Sequence, residues 1–133
     1  MIQPEETFLA KARESLEGVR LAYEGGRYAN CANRSYYACL QAAIHALIIA
    51  QVKPPSGGTI WNHGFVRGQF DGLLIGRRHR YSPDLKQVLS LNYELRAQAD
   101  YTSKAISEIV AYRALRRAER FVAAVALREE GRS

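Results

Sequence analysis

Apolar side chains recur at helical spacing along almost the whole chain. In the first stretch, steps of three and four residues place one apolar face on a helix from about residue 5 to 24, formed by Phe8, Ala12, Leu16, Val19 and Tyr23. The pair Gly25-Gly26 predicts an abrupt end to this helix. The next stretch, from about residue 27 to 51, is rich in alanine and apolar on several sides, which is typical of the central helix of a bundle.

Three further helices are predicted after a loop at residues 53–58. Asn62 is in position to cap a short third helix, and Ser107 to cap the last one, which runs to about residue 130. Ser82 and Pro83 are in position to begin the fourth helix, which ends near Tyr101. No segment alternates polar and apolar residues in the manner of a strand. The predicted fold is therefore all-α: an antiparallel bundle of four long helices and one short helix, in a single domain of residues 1–133.

Composition adds an expectation about the compartment. The longest apolar run, residues 42–50, is far shorter than the roughly 20 residues that a membrane span needs, and the N-terminus does not resemble a signal peptide. Cys31 and Cys39 lie too far apart along one helix to form a disulfide, so we expect two buried thiols. We expect a cytoplasmic protein without membrane contact, metal or cofactor.

Charge points to a phosphate-bearing partner. The formal net charge is +6, and 15 of the 19 basic residues are arginine, whose planar fork suits phosphate. Two predicted nucleic-acid patches hold most of the clustered charge: Arg77, Arg78 and Arg80 in a connector, and Arg113, Arg116, Arg117 and Arg120 on the outer stripe of the last helix. The alternatives for the second patch are a solvated helix face and a docking surface for an acidic protein.

Three stretches in register resemble the HEPN family, and specifically its small stand-alone prokaryotic branch. They are Ala10–Leu16 followed by Gly25–Ala29, then Asn33-Arg34-Ser35-Tyr36-Tyr37-Ala38, and finally Leu95-Arg96-Ala97-Gln98-Ala99-Asp100-Tyr101. The resemblance implies a homodimer, an RNA or nucleotide ligand, and a nucleotidyltransferase partner in a toxin–antitoxin or defence module.

The sequence departs from the catalytic members of that family. Ribonuclease members carry an arginine followed, after four to six residues, by a histidine that moves protons during cleavage. None of His45, His63 and His79 has this spacing, and none follows Arg96. Gln41 stands where the branch often has another histidine. We therefore expect a non-catalytic module. The alternatives are a variant ribonuclease that uses Arg96, Asp100, Tyr101 and His63, and a structural adaptor without nucleic-acid contact.

The predicted ligand-binding residues fall on two helices. The second helix contributes Arg34, Tyr37 and Gln41 from one face, and the fourth contributes Asn92, Arg96, Asp100 and Tyr101. These side chains suit a phosphate or a base. The alternative is that Arg96 and Asp100 form a structural pair that ties the end of the fourth helix to Arg34 and Tyr37 of the second. For His63 the alternative is a capping or packing role, and Tyr36 is expected in the core.

Overall fold

Five α-helices and short turns account for the fold. The structure, a computed structural model, describes residues 4–130, and within that range the side chains except those of residues 4–6, 56, 129 and 130. The helices are α1 (Pro4–Glu24), α2 (Tyr28–Ile49), α3 (His63–Gln69), α4 (Val88–Tyr101) and α5 (Glu108–Glu130). No strand occurs in the described range, which confirms the all-α prediction. No helix in this range is long and apolar enough to cross a membrane.

The turn between α1 and α2 makes these two helices an antiparallel hairpin. Gly26 has a positive φ of 72°, which costs glycine little and would strain other residues. The amide of Arg27 donates to the carbonyl of Ala22 (2.8 Å) and that of Gly26 to the carbonyl of Tyr23 (3.1 Å). These two hydrogen bonds end α1 where the glycine pair predicts.

Helix α2 is the centre of the bundle and packs against α1, α4 and α5. Most of its side chains are buried, as its alanine-rich sequence predicts. Small residues allow α5 to approach closely, because Ala111, Ala114 and Ala118 are fully buried. At this contact the Cys31 thiol donates to the Ala111 carbonyl (3.6 Å). Cys31 and Cys39 are both buried free thiols, as expected.

The chain between α2 and α4 differs in part from the prediction. Asn62 caps α3 as expected, with its side-chain oxygen accepting from the Phe65 amide (3.0 Å). The glycine-containing segment that follows continues as a π-helix, Phe70–Arg77. The prediction that Ser82 and Pro83 begin the fourth helix was wrong, because they begin a single 3₁₀ turn, Pro83–Leu85.

A tertiary contact explains the late start of α4. Gln87 has a left-handed φ of 72°, and its amide donates to the Asp71 carboxylate (3.3 Å). That geometry interrupts the helix, and α4 begins only at Val88.

The cap of α5 generates a stability prediction. The Ser107 hydroxyl accepts from the Val110 amide (3.2 Å), as the sequence predicts. Ser107→Ala should lower the free energy of unfolding by about 1 kcal/mol, because the amide loses its partner at the helix start. Urea denaturation measures the loss, and Ser103→Ala, an exposed serine four residues earlier, is the matched control. Equal effects of the two substitutions would contradict a capping role.

Candidate functional site

The guanidinium group of Arg96 lies among four tyrosine rings. Its central carbon is 5.5 Å from the ring centre of Tyr93, 5.6 Å from those of Tyr36 and Tyr101, and 5.7 Å from that of Tyr37. Aromatic faces attract cations, and the attraction strengthens as water is excluded. Only 12% of the Arg96 side chain is exposed. Helices α2 and α4 therefore hold a positive charge in a largely dry aromatic pocket.

A second arginine reaches the same place from α3. The Arg67 guanidinium lies 4.0 Å from the ring centre of Tyr93, whose ring thus contacts both arginines. Arg67 forms no ion pair with any described acid. The two guanidinium groups therefore converge with little compensating negative charge.

Three polar atoms in this cluster are buried without a hydrogen-bond partner: Arg67 Nη1, Arg96 Nε and the Tyr36 hydroxyl. Burial raises the pKa of Tyr36, and the nearby Arg67 and Arg96 oppose the rise. The hydroxyl is thus close to Arg67 but not in hydrogen-bonding geometry. A buried polar group without a partner generally costs about 1–3 kcal/mol, and these three atoms expose almost no surface to solvent.

Asp100 is the acid that pairs with Arg96 in the described structure. Its Oδ2 lies 3.3 Å from Arg96 Nη1 and accepts from the side-chain amide nitrogen (Nδ2) of Asn33 at 2.9 Å. This contact ties the end of α4 to α2, as the structural interpretation of the pair expects, although the partner on α2 is Asn33. Asp100 is exposed, so its ion pair is of the kind that contributes little to stability.

His63 joins the cluster at the first turn of α3. Its ring centre is 5.7 Å from that of Tyr36 and 6.2 Å from that of Tyr37. Burial lowers the pKa of His63, and the positive charges of Arg96 and Arg67 lower it further. The imidazole is therefore neutral at pH 7. Sequence spacing predicts no partner for His63, because the residues around it come from three different helices.

The remaining predicted ligand-binding residues lie elsewhere. Asn92 is fully buried; its oxygen accepts from Arg117 Nε (2.8 Å) and its nitrogen donates to the Cys39 sulfur (3.6 Å). Arg34 and Gln41 face α1 and line a crevice of about 250 Å³ with Lys11, Glu14 and Ser15. Of the predicted set, the structure brings together Tyr37, Arg96, Asp100 and Tyr101.

Sequence reasoning missed three members of the cluster. Arg67 and Tyr93 were not singled out, since an isolated arginine in a short helix and a tyrosine outside the recognised stretches give no signal. Tyr36 was expected in the core, where it does lie, but its buried hydroxyl also faces the site. The adjacent pair of tyrosines was the only signal available for it.

The arginines of the two predicted basic patches differ in their exposure and in their partners. Arg116 pairs with Glu119 (2.9 Å), which also pairs with Arg20 (3.0 Å). Arg77 and Arg78 are exposed, although Arg78 also donates to the Ala50 carbonyl (3.1 Å). Arg80 is half-buried, and its carbonyl accepts from Arg128 (2.9 Å).

On α5, Arg113 and Arg120 are exposed as predicted. The placement of Arg117 on the outer stripe was wrong. Its guanidinium turns inward because buried Asn92 offers it an acceptor.

Comparison with known proteins assigns the family. The sequence profile of the HEPN domain matches residues 5–130. The chain belongs to the HEPN domain family. A search of curated proteins gave no match. Within the described residues of this HEPN domain, no group of three or more histidine, cysteine, aspartate or glutamate side chains is arranged to hold a metal ion.

The electrostatics of His63 can be tested directly. Its pKa should lie below the ordinary value of 6.5 and should rise in an Arg67→Gln variant, because removing a nearby positive charge favours the protonated ring. Titration of the imidazole signals by NMR measures both values. Arg13→Gln, which removes an exposed arginine of α1, should leave the pKa of His63 unchanged.

The lowered pKa of His63 also determines how the free energy of unfolding changes with pH. Since the folded protein holds the His63 proton more weakly than the unfolded chain does, stability is lost as the pH falls through the ordinary pKa near 6.5. The loss should be smaller in His63→Gln than in the wild type. A His63 pKa above the ordinary value would contradict both expectations.

Proposed function

We propose that this HEPN domain binds the phosphate group of RNA or of a nucleotide at the cluster of Arg67, Arg96, His63 and the surrounding tyrosines, without cleaving it. The supporting observation is the convergence of two guanidinium groups that have buried, unpaired N–H donors and a single exposed acid beside them. Phosphate supplies both the negative charge and the acceptors that such a pair lacks.

The direction of the local field supports the same ligand. Both arginines help to lower the pKa of His63, so the site resists an additional proton and favours an anion. In a partly dry pocket this preference is stronger than at an open surface. A bound phosphate would compensate the arginines and raise the pKa of His63 toward its ordinary value.

The outer part of the cluster suits a base. Tyr101 is 75% exposed and lies against Arg96. Its ring offers a face for stacking, which is typically worth about 1–3 kcal/mol per base in single-stranded complexes. A phosphate that reaches Arg96 must displace Asp100, whose carboxylate is held by the 3.3 Å ion pair to Arg96 and by the side-chain amide of Asn33.

Binding should depend on Arg96 far more than on exposed arginines outside the cluster. Arg96→Gln should weaken binding of a short single-stranded RNA by about 10- to 100-fold, because it removes a charge-assisted hydrogen bond. Fluorescence anisotropy at fixed salt measures the change. Arg96→Lys should recover only part of the affinity, since lysine keeps the charge but lacks the fork.

The control for this experiment is Arg13→Gln, which removes the same charge from an exposed position and should change affinity less than threefold, as expected for an exposed charge. The slope of log affinity against log salt should also fall by about one in Arg96→Gln. Equal losses in Arg13→Gln and Arg96→Gln would reduce the interaction to general charge attraction. No binding by the wild type at low salt would favour the adaptor alternative.

One observation favours a second candidate function, the variant ribonuclease. A neutral His63 lies in the same cluster as Arg96, and an imidazole near a phosphate-binding arginine is the pair that cleavage requires. The family spacing of arginine and histidine is nevertheless missing, and the lowered pKa of His63 makes it a weaker base at the moment of proton transfer.

We expect no cleavage of tRNA or of mixed single-stranded RNA above a blank without protein. Gel electrophoresis after incubation measures it, with His63→Gln and Arg96→Ala run beside the wild type. Cleavage that disappears in both variants would establish the ribonuclease instead. Cleavage that persists in both would come from a contaminant or another site.

The partners belong to the same proposal. A homodimer and a nucleotidyltransferase encoded beside this protein are supported by the resemblance to the stand-alone prokaryotic branch. In that setting the phosphate site would act as the recognition element of a toxin–antitoxin or defence module.

A further inference from the structure

Helix α5 carries a line of arginines that the Arg96 cluster does not use. Arg113, Arg117 and Arg120 follow one another at steps of four and three residues, which places them on one side of the helix. None of the three forms an ion pair with a described acid, whereas Arg116 on the adjoining side is paired with Glu119. The line is therefore a concentration of uncompensated positive charge.

Arg117 is the fixed member of this line. Its Nε donates to Asn92 (2.8 Å), and Asn92 is in turn anchored to the Cys39 sulfur (3.6 Å). Burial raises the pKa of Cys39 to about 12, so the sulfur is an uncharged thiol. The anchor thus orients the guanidinium without neutralising it. Burial lowers the pKa of Arg117, and the charges of Arg113 and Arg120 lower it further.

A crevice opens where this arginine meets the start of α4. Arg117 and Arg120 are among the residues that line it, together with Lys86 from the turn before α4. Its volume is about 360 Å³, within the range of small-molecule sites. Asp84 is the one acid among the residues that line it, and Leu91 is among its aliphatic side chains.

We propose that this crevice is a second binding site for a phosphate group, separate from the Arg96 cluster, and that Lys86, Arg117 and Arg120 bind the phosphate. Three cations face one carboxylate there, and a phosphate offsets their mutual repulsion. The guanidinium of Arg117 is already oriented, so little side-chain entropy is lost on binding. The phosphate comes either from a free mononucleotide or from the backbone of RNA.

The experiment observes Arg117 itself by NMR, through the Nε–H signal of its side chain, with inorganic phosphate as the probe and chloride at equal ionic strength as the reference. Phosphate should shift this signal in a saturable manner. Arg120→Gln and Lys86→Gln should each weaken the phosphate affinity by about tenfold, since each removes a charge-assisted contact. Both side chains are exposed, so neither substitution disturbs the core.

Arg116→Gln is the matched control, because it removes the same charge from the same helix outside the crevice. Its effect should be less than twofold, as for an exposed ion pair. Equal losses in Arg116→Gln and Arg120→Gln would overturn the proposal, as would an Arg117 signal that phosphate does not shift beyond chloride. Arg96→Gln should leave the titration unchanged, so the outcome does not depend on the Arg96 cluster.

Two further probes identify the source of the phosphate. Uridine monophosphate and a short oligouridylate are titrated separately against the same Arg117 signal. Saturation at lower concentration by the mononucleotide would assign a nucleotide site, and saturation at lower concentration by the oligomer would assign a contact on an RNA path. If neither probe shifts the signal, the site is not one for nucleotide phosphates and the proposal fails.

Discussion

The burial of most of α2 is the constraint on which the rest of the structure depends. A helix with apolar residues on several sides must be enclosed by other helices, and α1, α4 and α5 provide that enclosure. The polar groups of α2 must then find partners inside the protein. The Ser35 hydroxyl donates to the carbonyl of Cys31 (2.8 Å). The Tyr36 hydroxyl has no such partner, and the two arginines lie beside it. The candidate site therefore lies where a buried polar group of the central helix lacks a hydrogen-bond partner.

The same constraint explains which features could be predicted from the sequence. Apolar periodicity, the glycine pair after α1 and the caps Asn62 and Ser107 are local signals, and they placed the helices correctly. The break before α4 depends instead on Asp71, distant in sequence, which accepts from the Gln87 amide. The inward turn of Arg117 depends on Asn92 of another helix. Contacts of this kind produce no periodic pattern in the sequence, so they could not be predicted from it.

Only part of the candidate site could be predicted from the sequence, for a related reason. Tyr37, Arg96, Asp100 and Tyr101 lie within two recognisable stretches, and the structure brings them together. Arg67 and His63 come from α3, whose orientation is set by packing against α2 and not by any motif. Sequence could therefore identify Arg96 but not the second arginine, Arg67, that lies beside it. The presence of Arg67 changes the electrostatics, because a lone Arg96 would be satisfied by Asp100, whereas two guanidinium groups are not.

This excess of cationic donors favours the proposed binding interpretation of the cluster over a purely structural one. A purely structural pair needs one acid for one base, and it would gain nothing from a buried hydroxyl without a partner. A phenylalanine at position 36 would fill the same space without that cost. The Tyr36 hydroxyl and donors of Arg67 and Arg96 are buried without a hydrogen-bond partner among the described residues, and a group of this kind generally costs about 1–3 kcal/mol. Such a cost is expected where a ligand completes the hydrogen bonds, because function commonly retains groups that packing alone would replace. Phosphate, with its charge and its several acceptor oxygens, is the ligand that we propose for this cluster, because its chemistry complements guanidinium donors.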